Sequence, residues 1–126
     1  MKSAMVICRD TVDPVAVLAA VAHKRGYSVA VAPGYAQITN LVGRLFTVMA
    51  GESDYEQWDE EDRNLLVASV EAPNRLFRGF AVECRWERLF CELVSDFGAA
   101  VEDVWVVDSD GVVWSWDDLD PERIVL

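Results

Sequence analysis

Apolar positions change their period several times along the chain, and each change marks an element. Residues 3–10, SAMVICRD, are mostly apolar with no turn former until Asp10, which predicts an opening strand. Between Asp13 and Gly26 the signals are helical. Asp13 suits the N-cap and Pro14 the first helical position, while His23, Lys24 and Arg25 suit a last turn whose dipole favours cations. Residues 27–34, YSVAVAPG, read as a second strand closed by Pro33 and Gly34, so the first third is expected to run strand, helix, strand.

Two readings stand for residues 36–50. Ile38, Leu41, Val42, Leu45 and Met49 follow helical spacing, whereas Thr39, Asn40, Gly43, Thr47 and Val48 are weak helix formers. The strand reading is taken for residues 44–50, RLFTVMA, because of their aromatic and β-branched content. Farther on, Leu65, Leu66 and Val70 predict a short helix from about Asp59 that stops before Pro73. Residues 74–85, NRLFRGFAVECR, place Leu76, Arg78, Phe80, Val82 and Cys84 on one face and Phe77, Gly79, Ala81 and Glu83 on the other. Apolar side chains on both faces suit a central strand.

Trp86, Leu89, Phe90, Leu93, Val94 and Phe97 then recur at the spacing of an amphipathic helix, with Trp86 on the apolar stripe and Gly98 as its C-terminal cap. In residues 104–116, VWVVDSDGVVWSW, two β-rich runs flank Asp110 and Gly111, the dipeptide of a type I′ hairpin turn. The pattern predicts an α+β fold: a single sheet, mostly antiparallel or mixed, with about three helices packed on it and a closing β-hairpin. A ferredoxin-like arrangement is the expected one. No repeat or low-complexity linker divides residues 1–126, so they are read as one domain.

Composition agrees with a packed domain: 126 residues, 52% hydrophobic and 26% charged. The first ten residues carry too short an apolar run for a signal segment or a membrane span. Cys8, Cys84 and Cys91 lie in apolar stretches without CxxC spacing, as buried thiols of a reducing compartment do, and a cytoplasmic location is expected.

Charge changes the picture more. The formal net charge is −11, and it is concentrated. Residues 52–62, ESDYEQWDEED, hold seven acids, and residues 102–122 hold eight more, with no Lys or Arg in either segment. The rest of the chain is net basic. Such a field repels nucleic acid and anionic lipid and attracts basic protein surfaces, so neither direct nucleic-acid binding nor membrane binding is expected.

Candidate chemistry is sparse. His23 is the single imidazole and has a sufficient structural role at a helix end. The DSDG of residues 108–111 begins like a calcium loop, but Gly follows the second Asp directly, and Val112, Val113 and Trp114 stand where oxygen ligands belong. Neither zinc spacing nor a phosphate-binding, dinucleotide-binding or nucleophile-elbow motif is present, so no cofactor, metal or catalytic residue is expected. Paired acids such as Glu60 with Glu61 sit among other acids, which suits a solvated face. Arg75, Arg78, Arg85 and Arg88 cluster with Glu83, Glu87 and Glu92 nearby and read as surface ion pairs.

The tryptophans are more distinctive. Trp58 lies inside the first acidic run, and Trp105, Trp114 and Trp116 lie in the second acidic region. Strand alternation puts Trp114 and Trp116 on one face with Val112, either packed on a helix or exposed as aromatic anchors ringed by charge. In size, in acidity and in an amphipathic helix leading to VWVVDSDGVVWSWDDL, the chain resembles the small cytoplasmic immunity proteins of bacterial polymorphic and contact-dependent toxin systems. The likeness covers roughly the last 40 residues. It implies specific binding to a cognate toxin, often a nuclease with a basic cleft, and no catalytic residue.

The residues expected at such an interface are Glu52, Asp54, Tyr55, Glu56, Trp58, Asp59, Glu60, Trp114, Trp116, Asp117 and Asp118. The macrodipole alone accounts for Asp59 and Glu60 at a helix start, whereas Tyr55 and Trp58 among acids have no such structural reason. Two other classes compete: a small-molecule or enzymatic domain using a pocket between sheet and helices, and a structural subunit with an apolar docking face.

Overall fold

The computed structural model describes residues 2–50 and 77–126. Within them, seven strands and two helices alternate as β1 (Ser3–Arg9), α1 (Pro14–Lys24), β2 (Ser28–Ala32), β3 (Tyr35–Thr39), β4 (Leu45–Met49), β5 (Phe77–Cys84), α2 (Glu87–Val101), β6 (Trp105–Val107) and β7 (Val113–Ser115). The fold is α+β. One open sheet has the order β2-β3-β4-β5-β1-β6-β7, and every neighbouring pair is antiparallel. The helix expected from Asp59 lies outside the described residues.

β5 stands in the middle of the order, as its two apolar faces require. Phe80, Val82 and Cys84 join the helix-side core with Val6, Cys8, Phe46, Val48, Leu18, Leu93 and Phe97. Phe77 joins Ile7 and Val107 on the opposite face, where its ring meets Trp105 edge-on at 5.3 Å. The strands flanking α1 are not neighbours: β1 and β2 run parallel with three strands between them. β5 and β6 likewise run parallel around α2, with β1 between them.

Helix α1 follows its sequence signals. The Asp13 carboxylate accepts from the Ala16 amide at 3.2 Å, Pro14 opens the helix, and Gly26 turns the chain at φ +76°. Arg25 then ties α1 to α2 by a forked contact, Nε to Asp96 Oδ2 at 2.5 Å and Nη2 to Asp96 Oδ1 at 3.1 Å. The Tyr27 hydroxyl donates to Glu92 beside it.

The choice left open for residues 36–50 resolves to two strands with a turn between them, the strand expected over 44–50 being β4, and the placing of Trp86 is corrected. Residues 35–39 form a strand, β3, joined to β2 by the Pro33-Gly34 turn, with Gly34 at φ +66°. The helical spacing of Leu41 and Val42 is incidental, since both sit in the β3–β4 turn, where the Asn40 carboxamide oxygen accepts from the Val42 and Arg44 amides at 3.1 and 2.9 Å. Trp86 is not core: it is the N-cap residue of α2, 39% exposed, with the Arg44 guanidinium 4.1 Å above its ring.

Gly98 is not the cap either, because α2 continues to Val101. The turn out of α2 uses Glu102 at φ 57°, ψ 175°, a region that glycine tolerates and glutamate does not. Glu102→Gly is therefore expected to stabilise the fold by about 1 kcal/mol, read as a rise in Tm.

Candidate functional site

The closing hairpin is the most heavily bonded polar region among the described residues. Its turn is not type I′, which needs positive φ at both central residues, because only Gly111 is left-handed, at φ +77°. Instead the Gly111 amide donates to the Asp108 carbonyl at 3.0 Å and the Asp108 amide to the Val112 carbonyl at 3.0 Å, giving a three-residue loop with glycine in the bulge position.

Asp108 is the one buried charged residue described, at 5% exposure. Its Oδ1 accepts from the Asp110 and Val112 amides, both at 3.0 Å, and its Oδ2 from Trp114 Nε1 at 2.9 Å and the Val125 amide at 3.4 Å. A carboxylate that receives four N–H groups is committed to structure. It fastens the turn, the Trp114 indole and the C-terminal segment, whose Ile124 and Leu126 enter the core.

Trp114 and Trp116 pack inward. Both are half-buried against the helix-side core, and the Ser95 hydroxyl of α2 donates to the Trp116 carbonyl at 3.4 Å. Asp117 and Asp118, which follow them, are exposed. The Ser115 hydroxyl donates to Asp117 at 2.6 Å, and the Asp118 amide closes a turn onto Ser115 at 3.0 Å. The ion pairs among the described residues join Lys2 to Glu87, Arg9 to Asp103, and Arg25 to Glu92 and Asp96. None of them involves Asp110, Asp117 or Asp118. The expected pairing of Arg85 and Arg88 with neighbouring acids is likewise not what forms: Glu87 pairs with Lys2 and Glu92 with Arg25.

Strand register relates this acidic turn to the rest of the sheet. Ser115 pairs with Trp105 and Trp105 with Ile7, while Arg9 pairs with Phe77. The chain thus leaves β7 toward Asp117 at the end of the sheet where β4 runs out at Ala50 and β5 begins at Phe77. The last residue of β7 and the first of β5 are three strand spacings apart across the sheet, about 14 Å, and two residues apart along it. Glu52, Asp54, Tyr55, Glu56, Trp58, Asp59 and Glu60 lie outside the described residues.

A second surface, which the sequence pattern missed, lies at the opposite end. Lys2, Arg44, Leu45, Glu83, Arg85 and Trp86 line an open cleft of about 400 Å³. The adjoining turn exposes Leu41 at 76% and Val42 at 73%. Basic, aromatic and aliphatic groups meet here because β4 begins and β5 ends at the same level of the sheet, with Phe46 opposite Cys84. The signal available beforehand was the acid-free run from Asn40 to Arg44, five residues holding two large aliphatics and one arginine.

The three cysteine thiols are withdrawn from solvent. Burial pushes the Cys8 thiol up to about 12 and the Cys84 and Cys91 thiols up to about 11, from an ordinary 9.0. The folded pKa values are raised, so the stability they reflect is complete below pH 9 and is lost as pH climbs through 11 to 12. Two results are expected: the three thiols react slowly with a disulfide reagent at pH 8 until urea is added, and Tm declines progressively above pH 9. His23 is exposed in the last turn of α1, and no metal-binding group of His, Cys, Asp and Glu exists among the described residues. No helix described is long and apolar enough to cross a membrane.

Compared with known proteins, the chain matches no family model, no curated protein and no solved structure.

Proposed function

We propose that this chain works by binding another protein, as an immunity-type inhibitor that neutralises a cognate toxin in the cytoplasm of the producing cell. Carboxylates on its surface would occupy the basic cleft of the toxin, possession of such a cleft being typical of nucleases, and block access of the substrate. The observation that carries the reading is the exposed pair Asp117 and Asp118, held on a bonded turn with no ion-pair partner among the described residues. They lie at the end of the sheet from which the chain continues toward its other acidic run. Clustered carboxylates on a rigid support speed encounter with a basic partner and set its orientation. The cysteine thiols are buried and Asp108 is saturated, so neither is offered to a substrate. Within this reading β4-β5-β1-β6 with α1 and α2 forms a ferredoxin-like arrangement, extended by the β2-β3 hairpin at one edge and by β7 at the other.

The test is co-purification with the product of the neighbouring gene at rising salt. A basic domain is expected to be retained at low salt, and Asp117→Lys with Asp118→Lys to weaken the complex at least ~tenfold with Tm unchanged. Retention of no basic protein at low salt overturns the proposal.

The Trp86 cleft favours a second reading, a site for a small anionic ligand with an aromatic ring. Stacking on Trp86 and charge from Arg44 and Arg85 would supply the affinity. It predicts a rise in Tm with mononucleotides that Trp86→Ala removes.

A further inference from the structure

Strand β2 is an edge of the sheet among the described residues, bonded only to β3 through Ser28↔Thr39 to Ala32↔Tyr35. On an edge strand, alternate backbone N–H and C=O groups point away from the sheet and can accept another strand. Proteins ordinarily blunt such edges with charge, proline, a bulge or a cover. β2 reads Ser-Val-Ala-Val-Ala, without a charged residue or an internal proline; Ser28, Ala30, Val31 and Ala32 are exposed, Val31 at 61%. The chain on either side of it is as neutral: residues 26–43 contain no charged side chain, and neither does α1 from Pro14 to Ala22, the helix that packs on β2 and β3, so that Asp13 and Arg78, in the cleft at its Ala32 end, are the described charges nearest that end.

We infer that β2 is a self-association strand, pairing antiparallel with β2 of a second copy of this chain about a two-fold axis at Ala30, so that two seven-stranded sheets become one. Three observations select a second copy over a foreign strand. First, the segment is nearly palindromic about Ala30, so the two-fold sets Ala30 against its symmetry mate and Val29 against Val31, as an isologous interface requires. Second, those valines share the helix side of the sheet, since Val29 pairs with Ile38 and Val31 with Ala36 and both partners are core residues. Pairing therefore covers the exposed Val31 with an apolar neighbour. Third, the charge is distributed to permit it. The acidic hairpin holds the other edge, six strand spacings or about 29 Å from β2 in each copy. Joining through β2 keeps the acidic hairpins of the two copies as far apart as the sheet allows, whereas pairing through β7 would bring them together.

The experiment is sedimentation velocity on the whole chain from micromolar to submillimolar concentration, at low and at moderate salt. A monomer–dimer equilibrium is expected that salt tightens, because the residual force between copies is repulsive. Salt weakens the toxin complex proposed above, so the two associations fail separately. Val31→Lys is expected to weaken the dimer at least ~tenfold with an unchanged far-UV spectrum, while Val112→Lys, on the loop at the far edge, leaves it intact. Hydrogen exchange on the wild-type chain serves as the readout that needs no variant: the β2 amides should slow as concentration rises. A chain that stays monomeric throughout, a dimer indifferent to Val31→Lys, or open-ended growth beyond the dimer each overturns the inference, as does protection of β2 by an added foreign peptide but never by more of the protein itself.

Discussion

Asp108→Ala is expected to lower the unfolding free energy by about 3 kcal/mol and Tm by about 10 °C. The change strips the acceptor from four N–H donors at once, those of Asp110, Val112, Trp114 and Val125. Two of these, the Trp114 indole and the Val125 amide, tie β7 and the C-terminal segment to the turn. Donors left unmet in a half-buried site carry the desolvation cost of a lost partner, and hydrogen bonds to a charged acceptor are the stronger kind. Asp108→Asn should fall between wild type and Asp108→Ala. Its oxygen can still serve the turn amides, but its amino group would then face Trp114 Nε1 and the Val125 amide, donor against donor. Trp114→Phe keeps an aromatic ring and removes one bond, for about 1 kcal/mol. Combined with Asp108→Ala it should cost less than the sum, since both changes delete the same contact. Chemical denaturation of the four variants beside wild type decides the point. Asp108→Asn as stable as wild type would show that the C-terminal segment is held by the packing of Ile124 and Leu126 instead.

Much of the fold was legible because local signals and tertiary environment agree. The Asp13-Pro14 start and Gly26 stop of α1 describe a helix in any context, and the mixed faces of residues 77–84 require a strand covered on both sides. β3 was hidden because Ile38, Leu41, Val42, Leu45 and Met49 mimic a helical stripe across what is a strand, a turn and a strand. Their spacing carries no record that an Asx turn at Asn40 reverses the chain. Trp86 failed for a related reason: it has the right position on the helical wheel but stands one residue before the helix, where the backbone is extended.

The candidate site was legible only in composition. Asp117 and Asp118 are exposed as an acidic interface needs, but Trp114 and Trp116 turned out to be the struts beneath that turn, and period-2 alternation could not say which side faces the helices. Asp108 drew notice only as the start of a DSDG that fails as a calcium loop. What distinguishes it is the loop that curls four amide and indole groups onto one carboxylate, which depends on residues from 108 to 125 closing in space. The Trp86 cleft draws on residues from Lys2 to Trp86 and has no counterpart in any contiguous segment.

Gly98→Ala is expected to destabilise the fold by about 2 to 3 kcal/mol, the opposite of what helix propensity dictates. Alanine inside a helix is ordinarily better than glycine by about 1 kcal/mol, and Gly98 lies three residues inside the end of α2 with an ordinary backbone. Sterics reverse the sign. A Cβ at this position would overlap the Trp116 side chain, both ring and Cβ, because the indole lies directly on the glycine backbone. Trp116 cannot readily withdraw, since its amide donates to the Val104 carbonyl at 3.2 Å and its carbonyl accepts from Ser95. The hairpin would have to lift from α2, and with it the turn that presents Asp117 and Asp118. The decisive measurement is the double variant. Trp116→Ala alone leaves a cavity and costs about 3 kcal/mol, but once the indole is gone a methyl group at position 98 has room and the propensity gain returns. Gly98→Ala with Trp116→Ala should therefore be no less stable than Trp116→Ala alone, a non-additivity of several kcal/mol between two residues in direct contact. Additive losses would mean that Gly98 is needed for the helix itself and that the indole does not rest on it.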